Sequence, residues 1–233
     1  MNPPNKPFAE RTQEKMKEVL MKPDAPGPAV HYYMIRGGAD KKNITIWETG
    51  TVGGEYIKAY GHYHVDDLKE TYWILEGQGI VLMQMRKKKP AGGTGQSAAG
   101  NGRNDKWLDD ELEWVKAVFV KPGDVVAIPP FAGHLMINIG PTWLVTSDDS
   151  PFQTGAAESG AASADSASMP QHADYEAVKK MRGFAYYVCE NPDKNSGDKN
   201  PAGKNAQPLF VKNPLYKDVP GIEIVKNIKT GKN

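Results

Sequence analysis

Apolar and polar residues alternate in many short segments of this chain, and this alternation is the main guide to its structure. Side chains of a β-strand point to opposite faces in turn, so alternation over about four to eight residues predicts a strand. Turn sequences such as Gly77-Gln78-Gly79 and Pro122-Gly123-Asp124 separate these segments. Strands are predicted at 30–35, 44–47, 56–60, 71–75, 80–85, 114–120, 125–128, 135–139 and 143–146. Many short strands between such turns predict an all-β antiparallel sandwich or jelly roll, not a parallel α/β sheet.

Two short helices are predicted beside these strands. Between 8 and 21 the apolar residues Phe8, Met16, Val19 and Leu20 are spaced among charges, and Pro23 ends the run, which predicts a surface helix in an N-terminal helical extension, 1–24. A second helix at about 172–181 and strands at 184–189 and 209–211 would complete the fold. A chain of 233 residues fits one domain, so we predict a single domain over 1–233.

Three segments have the composition of surface insertions. Residues 87–106 are basic and then rich in Gly, Ala and Ser, residues 155–170 are rich in Ala and Ser, and residues 191–207 are rich in Asn, Lys, Gly and Pro. Such sequences bury too little apolar surface to offset the entropy lost on ordering them. We therefore predict three surface loops that carry no chemistry.

Charge and hydropathy exclude several classes of partner. The 29 Lys and Arg residues nearly balance the 28 Asp and Glu residues, so the chain has no long-range field to attract nucleic acid or an anionic membrane. No long apolar stretch and no signal-peptide pattern occurs, which predicts a soluble cytoplasmic protein. The only cysteine, Cys189, excludes an intrachain disulfide and a cysteine-based zinc cluster. Any metal ion must therefore be held by histidines and carboxylates.

Four residues form a candidate metal site. In His62-Tyr63-His64 the strand alternation places two imidazoles on one face, while Glu70 and His134 each begin a later strand. Taken singly, each has an ordinary alternative, since surface and hydrogen-bonded histidines are common and a carboxylate at a strand end can be solvated. A jelly roll brings these strand ends together, which favours one divalent ion per chain. Three imidazoles and a carboxylate suit Fe²⁺, Zn²⁺, Ni²⁺ or Mn²⁺.

Two sets of segments carry a resemblance to a known family. The first is Gly61-His62-Tyr63-His64 with Glu70-Thr71-Tyr72 and Gly77-Gln78-Gly79, and the second is Lys121-Pro122-Gly123-Asp124 with Ile128-Pro129-Pro130-Phe131-Ala132-Gly133-His134. Together they resemble the two cupin motifs, and more narrowly the cupin-type glucose-6-phosphate isomerases of archaea and some bacteria. Thr45-Ile46-Trp47-Glu48, Asp174-Tyr175 and Gly183-Phe184 are similar to further segments of that family. The resemblance implies a cupin jelly-roll barrel.

The same resemblance implies roles for individual residues. It implies that His62, His64, Glu70 and His134 are the metal ligands, with Fe²⁺ as the preferred ion, and that Glu70 and Tyr72 are catalytic. It implies that substrate is bound by Thr45 and Gly61 at the phosphate and by His172 and Tyr175, which close the sugar site. It further implies a homodimer that interconverts glucose 6-phosphate and fructose 6-phosphate in glycolysis and gluconeogenesis.

This chain departs from the family pattern at two positions that concern the phosphate. Ala59 stands where the family usually has a threonine, and Ser147-Asp148-Asp149 occupies the place of an expected tyrosine. Lys58, Arg36 or Tyr60 are the candidates to replace the lost hydroxyl groups. These departures bear on substrate recognition and not on the metal ion.

Two other functions are compatible with the same ligands. Three histidines and one carboxylate in a cupin also serve iron-dependent oxygenases. A non-catalytic sugar-phosphate-binding cupin is the other alternative, and Ala59 and the missing tyrosine would favour it. Within the isomerase interpretation, proton transfer by Glu70 and a hydride shift between C1 and C2 both remain open.

Overall fold

The computed structural model describes residues 9–36, 43–90, 106–151, 173–192 and 207–225. The described part is mostly β-structure, with two short helices, α1 at Gln13–Met16 followed by a 3-10 turn at Lys17–Val19, and α2 at Glu176–Lys180. Its first strands are β1 Ala9–Thr12, β2 Val30–Ile35, β3 Asn43–Trp47, β4 Thr51–Val52, β5 Glu55–Tyr56, β6 His62–His64, β7 Glu70–Glu76 and β8 Gly79–Lys88. The remaining strands are β9 Trp107–Val120, β10 Val125–Ile128, β11 Gly133–Asn138, β12 Leu144–Asp148, β13 Ala173–Asp174, β14 Tyr186–Cys189, β15 Leu209–Lys212 and β16 Ile222–Val225.

Two six-stranded sheets form the body of the domain. Their strand orders are β1-β2-β3-β12-β7-β10 and β13-β6-β11-β8-β9-β16, and a smaller sheet has the order β15-β14-β5-β4. Strands distant in sequence are neighbours in both large sheets, and all described pairings are antiparallel except that of β16 with β9. This is the jelly-roll arrangement of a cupin, so the predicted fold class is confirmed. Within the described ranges, no helix has the length and apolar character needed to cross a membrane.

The core lies between the inward faces of the sheets. Strand β11 is buried along its whole length and pairs with β6 on one side and with β8 on the other. Alternate residues of β3 are buried at Asn43, Thr45 and Trp47, and those of β7 at Glu70, Tyr72 and Ile74. The inward face of the first sheet therefore carries polar side chains at one end and apolar ones at the other.

The N-terminal helix predicted over 8–21 is wrong for its first half. Ala9–Thr12 forms a strand that pairs antiparallel with β2, and only Gln13–Met16 is α-helical. Ala9 and Arg11 point inward from this edge strand and are buried, while Glu10 is exposed. The spacing of Met16, Val19 and Leu20 suggested a longer helix because these buried residues lie on a helical turn that directly follows the strand.

Other boundaries also differ from the predicted ones. Strand β8 continues to Lys88, which pairs with Trp107 at the start of β9, so the segment predicted to be inserted from 87 begins inside a strand. The second helix begins at Glu176 because Asp174 precedes it in β13 and accepts a hydrogen bond from Ala177 N at 3.2 Å. Residues 155–170 and most of 191–207 lie outside the described residues.

Candidate metal centre

Four predicted ligands from three strands come together at one end of the barrel. His62 and His64 lie on β6, His134 is the second residue of β11, and Glu70 is the first residue of β7 in the opposite sheet. Each offers one ligand atom, and these atoms all lie within 4.8 Å of one another. The cluster thus joins the two sheets across the mouth of the barrel.

Strand pairing explains why the three imidazoles meet. His62 pairs with His134 in register, and Tyr63 pairs with Gly133. The alternation of β6 places His62 and His64 on the cluster side, while the Tyr63 ring lies on the other side, stacked on Phe184 at 6.0 Å between centroids. A Cβ atom at Gly133 would lie 2.6 Å from the Tyr63 ring, so glycine is required there for the strands to pair this closely.

The ligand atoms have the spacing of a coordination shell. Nε2 of His134 lies 3.2 Å from Nε2 of His62, 3.1 Å from Nε2 of His64 and 3.3 Å from Oε2 of Glu70. Oε2 of Glu70 also lies 3.1 Å from Nε2 of His64. Ligands bonded to one ion at about 2.1 Å and at right angles to each other lie about 3 Å apart. A single proton on His134 Nε2 can serve one of its three neighbours, whereas one cation between them contacts all four atoms.

The outer nitrogens of two imidazoles are held by protein groups. His64 Nδ1 lies 3.1 Å from the Leu68 carbonyl oxygen, which can only accept, so Nδ1 carries a proton and Nε2 faces the cluster. His134 Nδ1 lies 3.1 Å from the Tyr72 hydroxyl. Such partners behind a ligand fix its orientation toward a metal ion.

The charge balance of the cluster also fits a cation. Burial raises the pKa of the Glu70 carboxyl, the hydrogen bond to His64 opposes this, and the negative charge of Asp148 adds to it. Glu70 is almost completely buried, and an ionised carboxylate in such a position is costly unless a positive charge accompanies it. The donor set and its geometry therefore fit one divalent metal ion.

Two predicted site residues contact the cluster directly. The Tyr72 hydroxyl holds His134, and the Tyr175 ring lies beside His62 with 5.2 Å between centroids. Burial raises the pKa of both phenols, so both remain protonated near neutral pH. Thr45 is buried on the inward face of β3, where its hydroxyl accepts a hydrogen bond from Arg36 Nη1 at 3.3 Å. His172 lies outside the described residues.

Gly61 has a structural requirement of its own. Its φ is +80°, and a Cβ atom there would lie 2.8 Å from the Phe184 ring and 3.2 Å from Leu135 Cβ. A side chain would therefore strain the backbone and collide with the core just before His62. The phosphate contact that the resemblance implies for Gly61 stays a prediction.

The structure separates the three candidates to replace the lost hydroxyl groups. Lys58 is buried, pairs with Glu55 at 2.5 Å and donates to the Val19 carbonyl at 2.7 Å. The Tyr60 hydroxyl donates to Glu18 Oε2 at 2.7 Å. Both side chains are thus bonded to the 3-10 turn at Lys17–Val19. Arg36 instead faces the polar inward side of the sheet, next to Thr45.

Sequence reasoning missed two charged residues near the cluster. Arg11 is buried on β1, and its positive charge lowers the pKa of Tyr175 against the larger effect of burial. Asp148 is buried at the end of β12, paired in register with Tyr72, and accepts a hydrogen bond from Asn43 at 2.8 Å. Arg11 was missed because residues 8–21 were predicted to be a surface helix. The signal for Asp148 was present, since an acid ends a strand where a tyrosine was expected.

Solved structures with a similar fold match only part of the chain. The capsular polysaccharide assembling protein CapF from Staphylococcus aureus is 16% identical, with 56% of this chain and 29% of that chain covered and a TM-score of 0.33. A sugar phosphate isomerase of the cupin superfamily from Silicibacter pomeroyi is 17% identical, with 51% and 57% covered and a TM-score of 0.29. The fold assignment rests on the strand pairings described above.

The sequence relatives are named glucose-6-phosphate isomerases. The glucose-6-phosphate isomerases of Thermococcus gammatolerans and Pyrococcus furiosus are each 32% identical over 97 residues. These matches cover 41% of this chain and 38% of each relative's length. The family model described as Glucose-6-phosphate isomerase (GPI) matches residues 33–203, which include the four residues of the cluster. On this match the chain belongs to the glucose-6-phosphate isomerase family.

Proposed function

We propose that this protein is a metal-dependent aldose–ketose isomerase that interconverts glucose 6-phosphate and fructose 6-phosphate. The observation that carries the proposal is the cluster of His62, His64, Glu70 and His134, bordered by Tyr72 and Tyr175, in a chain of this family. An isomerase of this type needs groups that bind two neighbouring oxygens and a group that moves a proton between carbons. The cluster supplies candidates for both.

The four clustered residues are proposed to hold one divalent ion. Fe²⁺ is our first choice, and Zn²⁺, Ni²⁺ and Mn²⁺ suit the same donors. When bound, the ion would act as a Lewis acid toward the substrate oxygens. The protein's own contribution is to orient His64 through the Leu68 carbonyl and His134 through the Tyr72 hydroxyl, and to keep the carboxylate out of bulk water.

Glu70 is the proposed proton carrier. Its Oε2 faces the imidazoles, so we assign the transfer between C1 and C2 to the other oxygen, Oε1. Without the ion, burial raises the pKa of this carboxyl. Coordination of a metal ion would lower its basicity, so we propose a loose bond to the ion during turnover. Tyr72, protonated and buried beside it, is proposed to line the sugar site. A hydride shift between C1 and C2 is the alternative, and it needs no base at carbon, only transfer of the hydroxyl proton from one oxygen to the other.

The remaining predicted contacts belong to the same proposal. Tyr175 stacks near His62 and is proposed to close the sugar site together with His172. Thr45 and Gly61 are proposed to face the phosphate. We further propose that the protein works as a cytoplasmic homodimer in glycolysis and gluconeogenesis, as its family membership suggests.

A coupled assay tests the proposal. We expect conversion of fructose 6-phosphate to glucose 6-phosphate, followed through reduction of NADP⁺ by a coupling dehydrogenase, and little turnover of unphosphorylated fructose. Exhaustive chelation should abolish the activity, and readdition of each metal separately should restore it to different extents. Full activity after chelation, checked by elemental analysis, would exclude the metal role.

The Glu70→Gln variant tests the proton carrier. The amide keeps the size of the side chain and one oxygen ligand but cannot accept the proton, so kcat should fall by about 100- to 10,000-fold. Metal content must be measured in the same preparation, because loss of the ion would also abolish activity. A metal-loaded variant with an undiminished kcat would favour the hydride shift.

The two alternative functions predict different results in the same experiments. An oxygenase would consume O2 with a small organic substrate and leave fructose 6-phosphate unchanged. A binding module would bind the sugar phosphate without converting it. Oxygen uptake and calorimetric binding therefore complete the assay.

A further inference from the structure

An arginine lies on the inward side of the first sheet, without a carboxylate partner among the described residues. Arg36 directly follows β2, where Tyr32 and Met34 point inward at alternate positions. Its Nη1 donates to Thr45 Oγ1 at 3.3 Å and weakly to the Ile35 carbonyl at 3.4 Å. No carboxylate of the described residues lies within ion-pair distance of it. A guanidinium has five N–H donors, so most of its hydrogen-bonding capacity is open to a ligand.

The contact with Thr45 places Arg36 on the face of the first sheet that also carries one metal ligand. Thr45 is buried on the inward face of β3, which pairs with β12, and β12 pairs with β7. The inward face of β7 carries Tyr72 and the ligand Glu70. The same face of the sheet therefore carries a ligand of the metal cluster and a fixed positive charge.

A row of hydroxyl groups accompanies this charge. Thr45 pairs in register with Thr146 of β12, and both are buried. The Thr146 hydroxyl has no hydrogen-bond partner among the described residues. A buried hydroxyl without a partner is uncommon, and next to an unpaired guanidinium it indicates a place for a polar ligand.

We propose that Arg36, with Thr45 beside it, binds the phosphoryl group of the sugar phosphate and sets the preference for phosphorylated substrates. The inference rests on the proposed isomerase function and deepens it. Planar N–H groups of arginine match phosphate oxygens in two parallel hydrogen bonds, which makes it the suitable cation for this task. It would replace the hydroxyl that Ala59 does not offer. Lys58, the other basic candidate, is held by Glu55 and the Val19 carbonyl.

The test uses one charge deletion, one charge-preserving variant and one matched control. Arg36→Gln removes the charge, Arg36→Lys keeps it but loses the planar pair of donors, and Lys121→Gln removes an exposed charge at the opposite end of the sheet. Titration calorimetry with inorganic phosphate and with glucose 6-phosphate measures binding without turnover. The coupled assay on fructose 6-phosphate separates KM from kcat.

A selective loss of phosphate recognition is expected. Arg36→Gln should weaken binding of both phosphate ligands and raise KM for fructose 6-phosphate by about 10- to 100-fold, the worth of a hydrogen bond to a charged group. kcat should change much less, Arg36→Lys should be intermediate, and Lys121→Gln should match wild type. Melting temperatures show whether Arg36→Gln is folded. If it is not, the phosphate affinity and KM of Arg36→Lys test the role of Arg36.

The possible failures can be told apart. Normal turnover together with unchanged phosphate affinity and KM in Arg36→Gln overturns the role of Arg36 and leaves the isomerase proposal intact. Phosphate binding that depends on Arg36 in a protein without isomerase activity supports Arg36 and refutes the proposed reaction. Wild-type protein that binds neither phosphate ligand, or an equal loss in Lys121→Gln, overturns the inference.

Discussion

The two faces of strand β6 border two very different groups of buried polar side chains. On one face, His62 and His64 meet His134 and Glu70, and potential metal-ligand atoms face each other at 3.1–3.3 Å. On the other face, the Tyr63 ring lies under the guanidinium of Arg86, with its carbon centre 4.0 Å from the ring centroid. Both groups are largely buried, but the second pairs a guanidinium with two carboxylates, whereas the first gathers four potential metal ligands.

The Arg86 group pairs its charges within the protein. Arg86 pairs with Asp109 at 2.9 Å and with Asp174 at 3.2 Å. Beside it, Gln84 donates to the hydroxyl groups of Tyr63 and Tyr216, and accepts from Ala185 N at 2.9 Å. Buried charges of this kind, paired and hydrogen-bonded, hold distant segments in one arrangement.

The difference between the groups shows which buried polar residues serve a ligand. In the Arg86 group the buried charges pair with one another, although Arg86 Nε has no hydrogen-bond partner among the described residues. The metal cluster instead places four potential ligand atoms within 4.8 Å of one another. Substitutions in the two groups should therefore separate function from stability.

The largest effect is expected for His134→Gln. An ion bound with about 10–16 kcal/mol through four ligands loses about 2.5–4 kcal/mol with one of them, or on the order of 100- to 1000-fold in affinity. Metal content after dialysis should fall from one ion per chain to nearly none, and isomerisation should stop. The free energy of unfolding without metal should change far less than this.

His31→Gln is the matched control for that variant. His31 is also fully buried, but it contacts Gln13 and lies outside the cluster. Its replacement should leave the metal content unchanged. If both variants lose the ion equally, the cluster is not the metal site.

The next largest effect is expected for Arg86→Met. The apolar side chain keeps much of the volume but leaves Asp174 buried without its cation, which costs about 3–4 kcal/mol. Urea unfolding measures this loss, and metal content should remain at the wild-type level. Lys116→Met, which breaks the exposed pair with Glu223, should cost less than about 1 kcal/mol. Equal costs would mean that the buried pairs add nothing to the fold.

The metal ligands could be predicted from sequence because each belongs to a short local pattern. His62 and His64 need only strand alternation to share a face, and a jelly roll then brings the starts of β7 and β11 to them. The strand order follows from the family resemblance, and the turns marked by glycine gave most boundaries to within a few residues. Local pattern and global fold agree at this site.

The Arg86 group and the edge strand β1 could not be predicted in the same way. Arg86 finds Asp109 and Asp174 only after β8, β9 and β13 have been brought together, and no local pattern announces such partners. Arg11 lies in a charged segment whose strand exists only because β2 offers a free edge. Pairings of this kind depend on tertiary contacts, which override local preference.

A smaller, pH-dependent effect is expected from His31. Burial and the nearby charge of Lys58 lower the pKa of His31 to about 4, so the folded protein keeps this imidazole neutral. The unfolded chain binds the proton at about pH 6.5, and stability is therefore lost as pH falls from about 6.5 to about 4. The loss attributable to His31 should reach about 3 kcal/mol near pH 4.

Chelated wild-type and His31→Gln proteins isolate this contribution. Urea unfolding from pH 7 to pH 4 should show a steeper loss of stability for wild type than for the variant. Parallel curves would show that His31 takes up its proton equally in both states, and that its burial does not keep it neutral.

The smallest effects are expected for two substitutions, one in each of the two groups that border β6. Tyr72→Phe removes the hydroxyl that holds His134 Nδ1 at 3.1 Å, and loss of such a partner typically lowers metal affinity by about 10- to 100-fold. Tyr63→Phe removes a hydroxyl that accepts from Gln84 on the opposite face, so it should lower the free energy of unfolding and leave metal affinity unchanged. Competition with a chromogenic chelator measures the affinity, and urea unfolding measures the stability. If Tyr63→Phe weakened metal binding as much as Tyr72→Phe, the two groups would be one coupled network, and the separation of ligand binding from fold stability across this strand would fail.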